Sequence, residues 1–93
     1  MIISFGDKKT ESFWQTGRSA KIPPSLKKRA YRKLQLVHAA ADLEFLRVPP
    51  SHHLEKLSGD LKGFCSIRIN QQFRIIFEWK GGHAHNVQIV DYH

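Results

Sequence analysis

Apolar residues recur at two different spacings along the chain, and the spacing changes near residue 63. In the first half, five apolar residues stand three or four positions apart and would line one face of a helix: Leu26, Ala30, Leu34, Val37 and Ala41. Beyond residue 63, apolar and polar residues alternate, as they do in strands with one buried face. The pattern predicts an α+β fold in which N-terminal helices pack on one face of an antiparallel sheet.

Capping and turn residues mark the ends of the predicted elements. Ile2–Phe5 is a short apolar run that predicts a strand, and Asp7 can cap a following helix that ends at Gly17. Ser25 is the predicted N-cap of the main helix. A further helical turn is expected within ADLEFLRVPP, where two prolines end it.

Three alternating runs predict the strands of the second half: GFCSIRIN, FRIIFEW and HNVQIVDYH. The two glycines of KGG suit a tight hairpin between the second run and the third. No repeat or linker interrupts the chain, so residues 1–93 are expected to form a single domain.

The chain is strongly basic, and its charge is unevenly distributed. Lysine and arginine number 15 against 8 acidic residues, which gives a net charge of +7 and a pI near 9.9. Residues 1–47 hold ten basic and four acidic groups, whereas residues 48–93 hold five and four. This balance favours a polyanionic partner, either nucleic acid or an acidic protein.

The composition disfavours several classes of site. A single cysteine, Cys65, cannot form an internal disulfide or a cysteine-based zinc site, and its strand position predicts a small buried hydrophobe. His83 and His85 could share a strand face, but no cysteine or acidic cluster accompanies them, so neither a metal nor a cofactor is expected. Without a signal peptide or an apolar run of about 18 residues, a cytoplasmic location away from membranes is expected.

The main helix carries the segment KKRAYRK, in which five of seven residues are basic. One interpretation is an ordinary solvated outer face. The other is a docking surface for phosphates or for an acidic partner, with Lys27, Lys28 and Arg32 as its candidate residues.

Two arginines stand within predicted strands, where an arginine without a partner is uncommon. A structural interpretation pairs Arg68 and Arg74 with Glu78 or Asp91 on a half-open sheet. A functional interpretation makes the two arginines a cationic floor for a phosphate. The guanidinium binds phosphate oxygens bidentately and stays charged throughout a reaction.

The last predicted strand ends in a carboxylate, a phenol and an imidazole, those of Asp91, Tyr92 and His93. Next to two arginines, these groups suit metal-free RNA cleavage. That reaction needs a base for the 2′-hydroxyl, cationic donors for the charged transition state and an acid for the leaving 5′-oxygen. His93 is the natural proton-transfer residue because an unperturbed imidazole titrates near neutrality.

The run LRVPPSHHLEKLSGDLKGFCSIRINQQFRIIFEW and the closing VQIVDYH resemble the HigB-type toxins of bacterial toxin–antitoxin systems, which belong to the RelE superfamily. The resemblance covers nearly the whole chain. Its most specific parts are L-x-G-D, S-I-R-I-N-x-Q-x-R-I-x-F and the terminal D-Y-H.

The resemblance implies a microbial-ribonuclease-like fold and an endoribonuclease that cuts mRNA in the ribosomal decoding site. It also implies a helix-turn-helix antitoxin of the HigA type, with operator DNA bound only through the toxin–antitoxin complex. By position, Arg74 would stabilise the transition state, His93 would transfer protons, and Tyr92 would stack on a base or orient the phosphate. Arg68 and Asp91 also match the family's motif positions.

The chain departs from some relatives just before its Gly-Asp turn. Those relatives place a histidine or lysine there, whereas this chain has Glu55 and Ser58. Glu55 is therefore a further candidate for proton transfer, and Lys56 and Lys62 are candidate RNA or ribosome contacts. Two alternatives stay open: a gyrase poison that does not cut RNA, and a degenerate module that only pairs with an antitoxin or DNA.

Overall fold

The computed structural model describes residues 1–91, in which two helices precede a four-stranded sheet. The helices are α1, Lys8–Thr16, and α2, Lys27–Ala39. The strands are β1, Glu55–Lys56, β2, Phe64–Arg68, β3, Phe73–Lys80, and β4, His83–Asp91. They lie in the order β1-β2-β3-β4, and every neighbouring pair is antiparallel. The predicted α+β architecture is confirmed.

Both helices bury their apolar faces against the same side of the sheet. Ala30, Leu34 and Val37 of α2 are completely buried, as the spacing predicts. They join Phe13 of α1 and a row of strand side chains in one core, which includes Ile67, Ile75, Phe77, Val87 and Ile89. The other side of the sheet carries the polar Ser66, Arg68 and Arg74 together with the buried apolar Ile76.

Local signals placed α1 correctly but missed the start and end of α2. Asp7 caps α1 by accepting from the Thr10 backbone N–H at 2.6 Å, and Gly17 ends the helix in the left-handed conformation. The prediction that Ser25 caps α2 is wrong, because a 3₁₀ turn over Pro24–Leu26 leads into the helix without a side-chain cap. Ala41 lies beyond the last helical residue and is exposed.

Two short 3₁₀ helices connect α2 to β1, at Leu43–Arg47 and Pro50–His52, and a third, Gly59–Leu61, lies between β1 and β2. The first is the helical turn predicted in ADLEFLRVPP. The hairpin between β3 and β4 turns at Gly81 and Gly82, whose φ angles of 59° and 79° favour glycine. In residues 1–91, no helix has the length and hydrophobicity needed to cross a bilayer.

The N-terminal segment does not form the continuous strand predicted for Ile2–Phe5. Its backbone runs parallel to β4 and pairs with it only at Ile2 and Phe5, opposite Ala84 and Val87. Between these points Asn86 adopts a positive φ of 54°, and its N–H bonds to the Ser4 hydroxyl instead of a backbone carbonyl. The irregular backbone of β4 therefore interrupts the ladder.

Candidate active site

Arg68 and Arg74 are directly opposite each other in the β2–β3 register, on the side of the sheet away from the helices. Their neighbours in sequence, Ile67 and Ile75, form the next pair and point into the core. Because side chains alternate along a strand, both guanidinium groups arise from one face. The sheet thus brings together two cations that the sequence separates by a turn.

Arg74 is buried and held from two directions. It is 5% exposed, and its Nη1 donates to Glu55 Oε1 at 2.7 Å while its Nη2 donates to the His53 backbone carbonyl at 3.0 Å. Glu55 is on β1, so the Arg74 side chain extends across β2 to reach it. The Glu55 side chain is half exposed, which makes this pair the boundary between the buried sheet and solvent.

This pairing corrects the structural interpretation of the arginines. Glu78 does not bind Arg74: its carboxylate accepts from Lys80 and from the Asn86 amide, and these bonds lower the pKa of Glu78, that of Asn86 most. Glu55, the carboxylate that binds Arg74 among the described residues, comes from a two-residue strand that the alternating pattern did not predict.

The loop before β1 is anchored by a buried histidine. His52 is completely buried, and its Nδ1 donates to the Leu46 carbonyl at 3.1 Å. Burial lowers the pKa of His52, and the charge of Lys33 adds to this, although the bond to Leu46 opposes it. A neutral His52 therefore fixes the loop that carries the His53 carbonyl and Glu55 to Arg74.

Asp91 lies at the same end of the sheet as Arg74 but in a different register row. It pairs with Phe73, whose side chain is in the core, and accepts from Gln72 Nε2 at 3.1 Å. Val90 is the β4 residue opposite Arg74. Tyr92 and His93, the other two candidates of the C-terminal D-Y-H motif, lie outside the described residues.

The candidate contacts for RNA or the ribosome fall on two separate surfaces. Lys28 and Arg32 are exposed on α2 and line a shallow groove of about 350 Å³, and Lys27 is half-buried nearby. Lys56 and Lys62 line a different cavity of about 540 Å³, whose walls include Trp79. Lys56 pairs with Cys65, whose side chain points into the core, so it leaves β1 on the side opposite Glu55.

Cys65 is a buried thiol, and the described residues form no candidate metal site. Cys65 is buried, as predicted, and burial raises the pKa of its thiol. Among residues 1–91, no group of three or more His, Cys, Asp and Glu side chains could hold a metal ion.

The fold and this site define a RelE-like toxin. A family model described as "RelE-like toxin of type II toxin-antitoxin system HigB" matches residues 3–93, and the chain belongs to that family. It is 41% identical over 90 residues to Toxin HigB-1 of Vibrio cholerae serotype O1, covering 96% of this chain and 95% of the relative. It is 29% identical over 93 residues to Endoribonuclease HigB of Proteus vulgaris, covering 100% of both.

Solved structures agree on the fold. The YoeB–YefM complex from Staphylococcus aureus matches with a TM-score of 0.60 and 18% identity, covering 100% of this chain and 98% of that chain. The predicted RelE-like architecture and the HigB-type resemblance are both confirmed.

Proposed function

We propose that this toxin is a ribosome-dependent endoribonuclease that cleaves mRNA in the decoding site and so inhibits translation. The observation that carries the proposal is Arg74, a guanidinium buried in the sheet and aimed by Glu55 and the His53 carbonyl. A preorganised cation of this kind stabilises developing phosphate charge without reorganising during the reaction. The name of the Proteus vulgaris relative, an endoribonuclease, supports the same activity.

The proposed chemistry divides the reaction among a few side chains. Arg74 is the main transition-state stabiliser, and Arg68 supplies the second cation on the same face. His93 transfers a proton, Tyr92 supports a base or the phosphate, and Asp91 completes the closing motif of β4. Glu55 is the second proton-transfer candidate, since its half-exposed carboxylate adjoins the Arg74 guanidinium.

We infer that a cognate antitoxin of the HigA type neutralises the toxin and that operator DNA is bound only by their complex. Similarity to a solved heterotetrameric YoeB–YefM toxin–antitoxin complex from Staphylococcus aureus supports an antitoxin partner. The net charge of +7 suits both an acidic partner protein and ribosomal RNA. Action on translating ribosomes places the toxin in the cytoplasm.

Primer extension on an mRNA in a purified translation system tests this function. With wild-type toxin we expect new 5′ ends within the reading frame when ribosomes are present and none when they are omitted. Arrested translation without cuts would contradict the nuclease activity and favour a toxin that does not cleave RNA. A DNA supercoiling assay would then test whether the toxin inhibits gyrase. Cuts on naked RNA at the same rate would contradict the dependence on ribosomes.

Reversing the charges of the exposed α2 surface should weaken ribosome association. A plot of log affinity against log salt has a negative slope, and for Lys27→Glu/Lys28→Glu/Arg32→Glu we expect this slope to become shallower by about 2 to 3. Each lost phosphate contact reduces its magnitude by roughly 0.7–0.9. Cosedimentation with ribosomes across a salt series measures this slope. The control Lys8→Glu/Lys9→Glu/Arg18→Glu makes the same charge change around α1. Equal effects of both variants would show that ribosome association depends on the net charge of the protein and not on the α2 surface.

A further inference from the structure

A second cationic cleft of about 510 Å³ lies between α2 and the turn that joins β2 to β3. Arg29 and Lys33 of α2 line one wall, and Ser51 and His53 come from the loop before β1. Arg68 is the last residue of β2, and Asn70 lies in the turn after it. We propose that this cleft binds the phosphate backbone of single-stranded RNA next to the scissile bond. The inference rests on the proposed ribonuclease function and adds to it the path of the substrate.

The cations of the cleft have no anionic partners in the part of the chain that the structure describes. The carboxylates of ion pairs there are Asp7, Glu44, Glu55 and Glu78, and none of them binds Arg29, Lys33 or Arg68. Among residues 1–91, no carboxylate lines the cleft either. Positive charge therefore accumulates around this space without compensation.

Arg29 and Lys33 are four positions apart and so occupy one face of α2. Like charges at this spacing repel each other and destabilise a helix. Partial burial lowers the pKa of Lys33, and the charge of Arg29 lowers it further. A bound polyanion would remove this repulsion, so the arrangement favours a phosphate ligand.

The remaining walls are suited to phosphate oxygens. Asn70 Oδ1 is already engaged by the backbone N–H groups of Gln72, at 2.9 Å, and Phe73, at 2.7 Å, which leaves its amide NH₂ as a donor. Ser51 adds an exposed hydroxyl. Arginine can complete such a site because its planar fork binds two phosphate oxygens at once.

The cleft is continuous with the candidate active site on one side and with the basic helix on the other. Arg68 lines the cleft and pairs with Arg74 across the sheet, and His53 lines it while its carbonyl accepts from Arg74. Arg29 also lines the groove that contains Lys28 and Arg32. A strand of RNA crossing Arg74 would therefore pass its neighbouring phosphate into the cleft.

The polar walls favour RNA over an acidic protein. A helical peptide binds a groove mainly through a strip of apolar anchors. Of the described residues that line the cleft, Ile69 alone is apolar, and it is 5% exposed. Phosphate binding needs no such strip.

The test compares Arg29→Gln/Lys33→Gln with the matched control Lys8→Gln/Lys9→Gln, which removes two exposed cations of α1. The probe is a fluorescent 2′-O-methyl RNA 12-mer, which cannot be cut because it lacks the free 2′-hydroxyl. Anisotropy titrations across a salt series give the affinity. We expect the cleft variant to bind about 10- to 30-fold more weakly at 0.1 M salt and to lose about 1.4 from the salt slope, the value for two contacts to a single strand.

Both variants should keep the wild-type melting temperature by circular dichroism, since the changed side chains lie outside the core. Equal RNA binding by the cleft variant and the control would overturn the proposal whether or not the wild type cleaves mRNA. A further outcome is that the cleft variant alone loses RNA binding while the wild type never cuts mRNA on ribosomes. That result would support RNA binding by the cleft and contradict the proposed ribonuclease activity. Loss of binding to poly-glutamate with RNA binding intact would also overturn it, in favour of an acidic protein.

Discussion

Arg74→Lys is expected to lower the rate of ribosome-dependent mRNA cleavage by about 100- to 1,000-fold, the effect of losing one preorganised donor to a transition-state anion. Lysine keeps the positive charge but replaces the planar fork with a single ammonium group. Arg74 uses two nitrogens to bind Glu55 and the His53 carbonyl, which orients the guanidinium plane. An ammonium group cannot hold both acceptors and also present a fork to phosphate.

Single-turnover primer extension measures the loss, and two controls identify its origin. Arg47→Lys makes the same chemical change at an exposed pair with Glu44 and should leave cleavage unchanged. The melting temperature of Arg74→Lys separates a catalytic defect from unfolding, because Arg74 is itself buried. A folded Arg74→Lys protein that cleaves within threefold of wild type would remove Arg74 from the chemistry and leave it a structural role.

His93→Ala should reduce cleavage by about 100- to 10,000-fold, the usual contribution of a positioned general acid or base. The physical reason is that imidazole is a side chain able both to accept and to donate a proton under physiological conditions. The limb of the pH–rate profile that this group causes in the wild type should also disappear. A structural role alone would lower the rate without changing the shape of the profile.

The control for this experiment is His83→Ala, which removes an exposed histidine at the opposite end of β4. It should leave both the rate and the profile unchanged. If His93→Ala still cuts mRNA with an unaltered pH profile, the protein is a ribonuclease in which another group transfers the proton. Glu55 would then be the first candidate. That carboxylate is already in contact with Arg74 at 2.7 Å.

The elements that could be read from the sequence are those specified by neighbours in the chain. Asp7 and Gly17 mark the ends of α1, because capping involves residues within one turn. The buried face of α2 follows from the spacing of its apolar residues. The strands and the KGG hairpin also follow from local alternation and turn chemistry. β1 escaped prediction because two residues are too few to show a period.

The site was predictable only where its residues carry an unusual local signal. Arg68 and Arg74 were identifiable because arginine is uncommon within a strand, but their partners were not. Glu55 reaches Arg74 from a strand two positions away in the sheet, which no pattern in β3 reveals. Arg29 and Lys33 look like ordinary members of a basic helix, and their spacing of four was the one available hint.

The sequence by itself determined the helices, the three long strands, the basic charge and the family, because periodicity, capping, composition and motifs are properties of neighbouring residues. Only the tertiary structure decided which charges meet. Packing of α2 against the sheet places Arg29 and Lys33 beside Arg68, and β1 brings Glu55 to Arg74. Electrostatic interaction depends on distance through space, and the sheet register, rather than the order of residues, sets that distance.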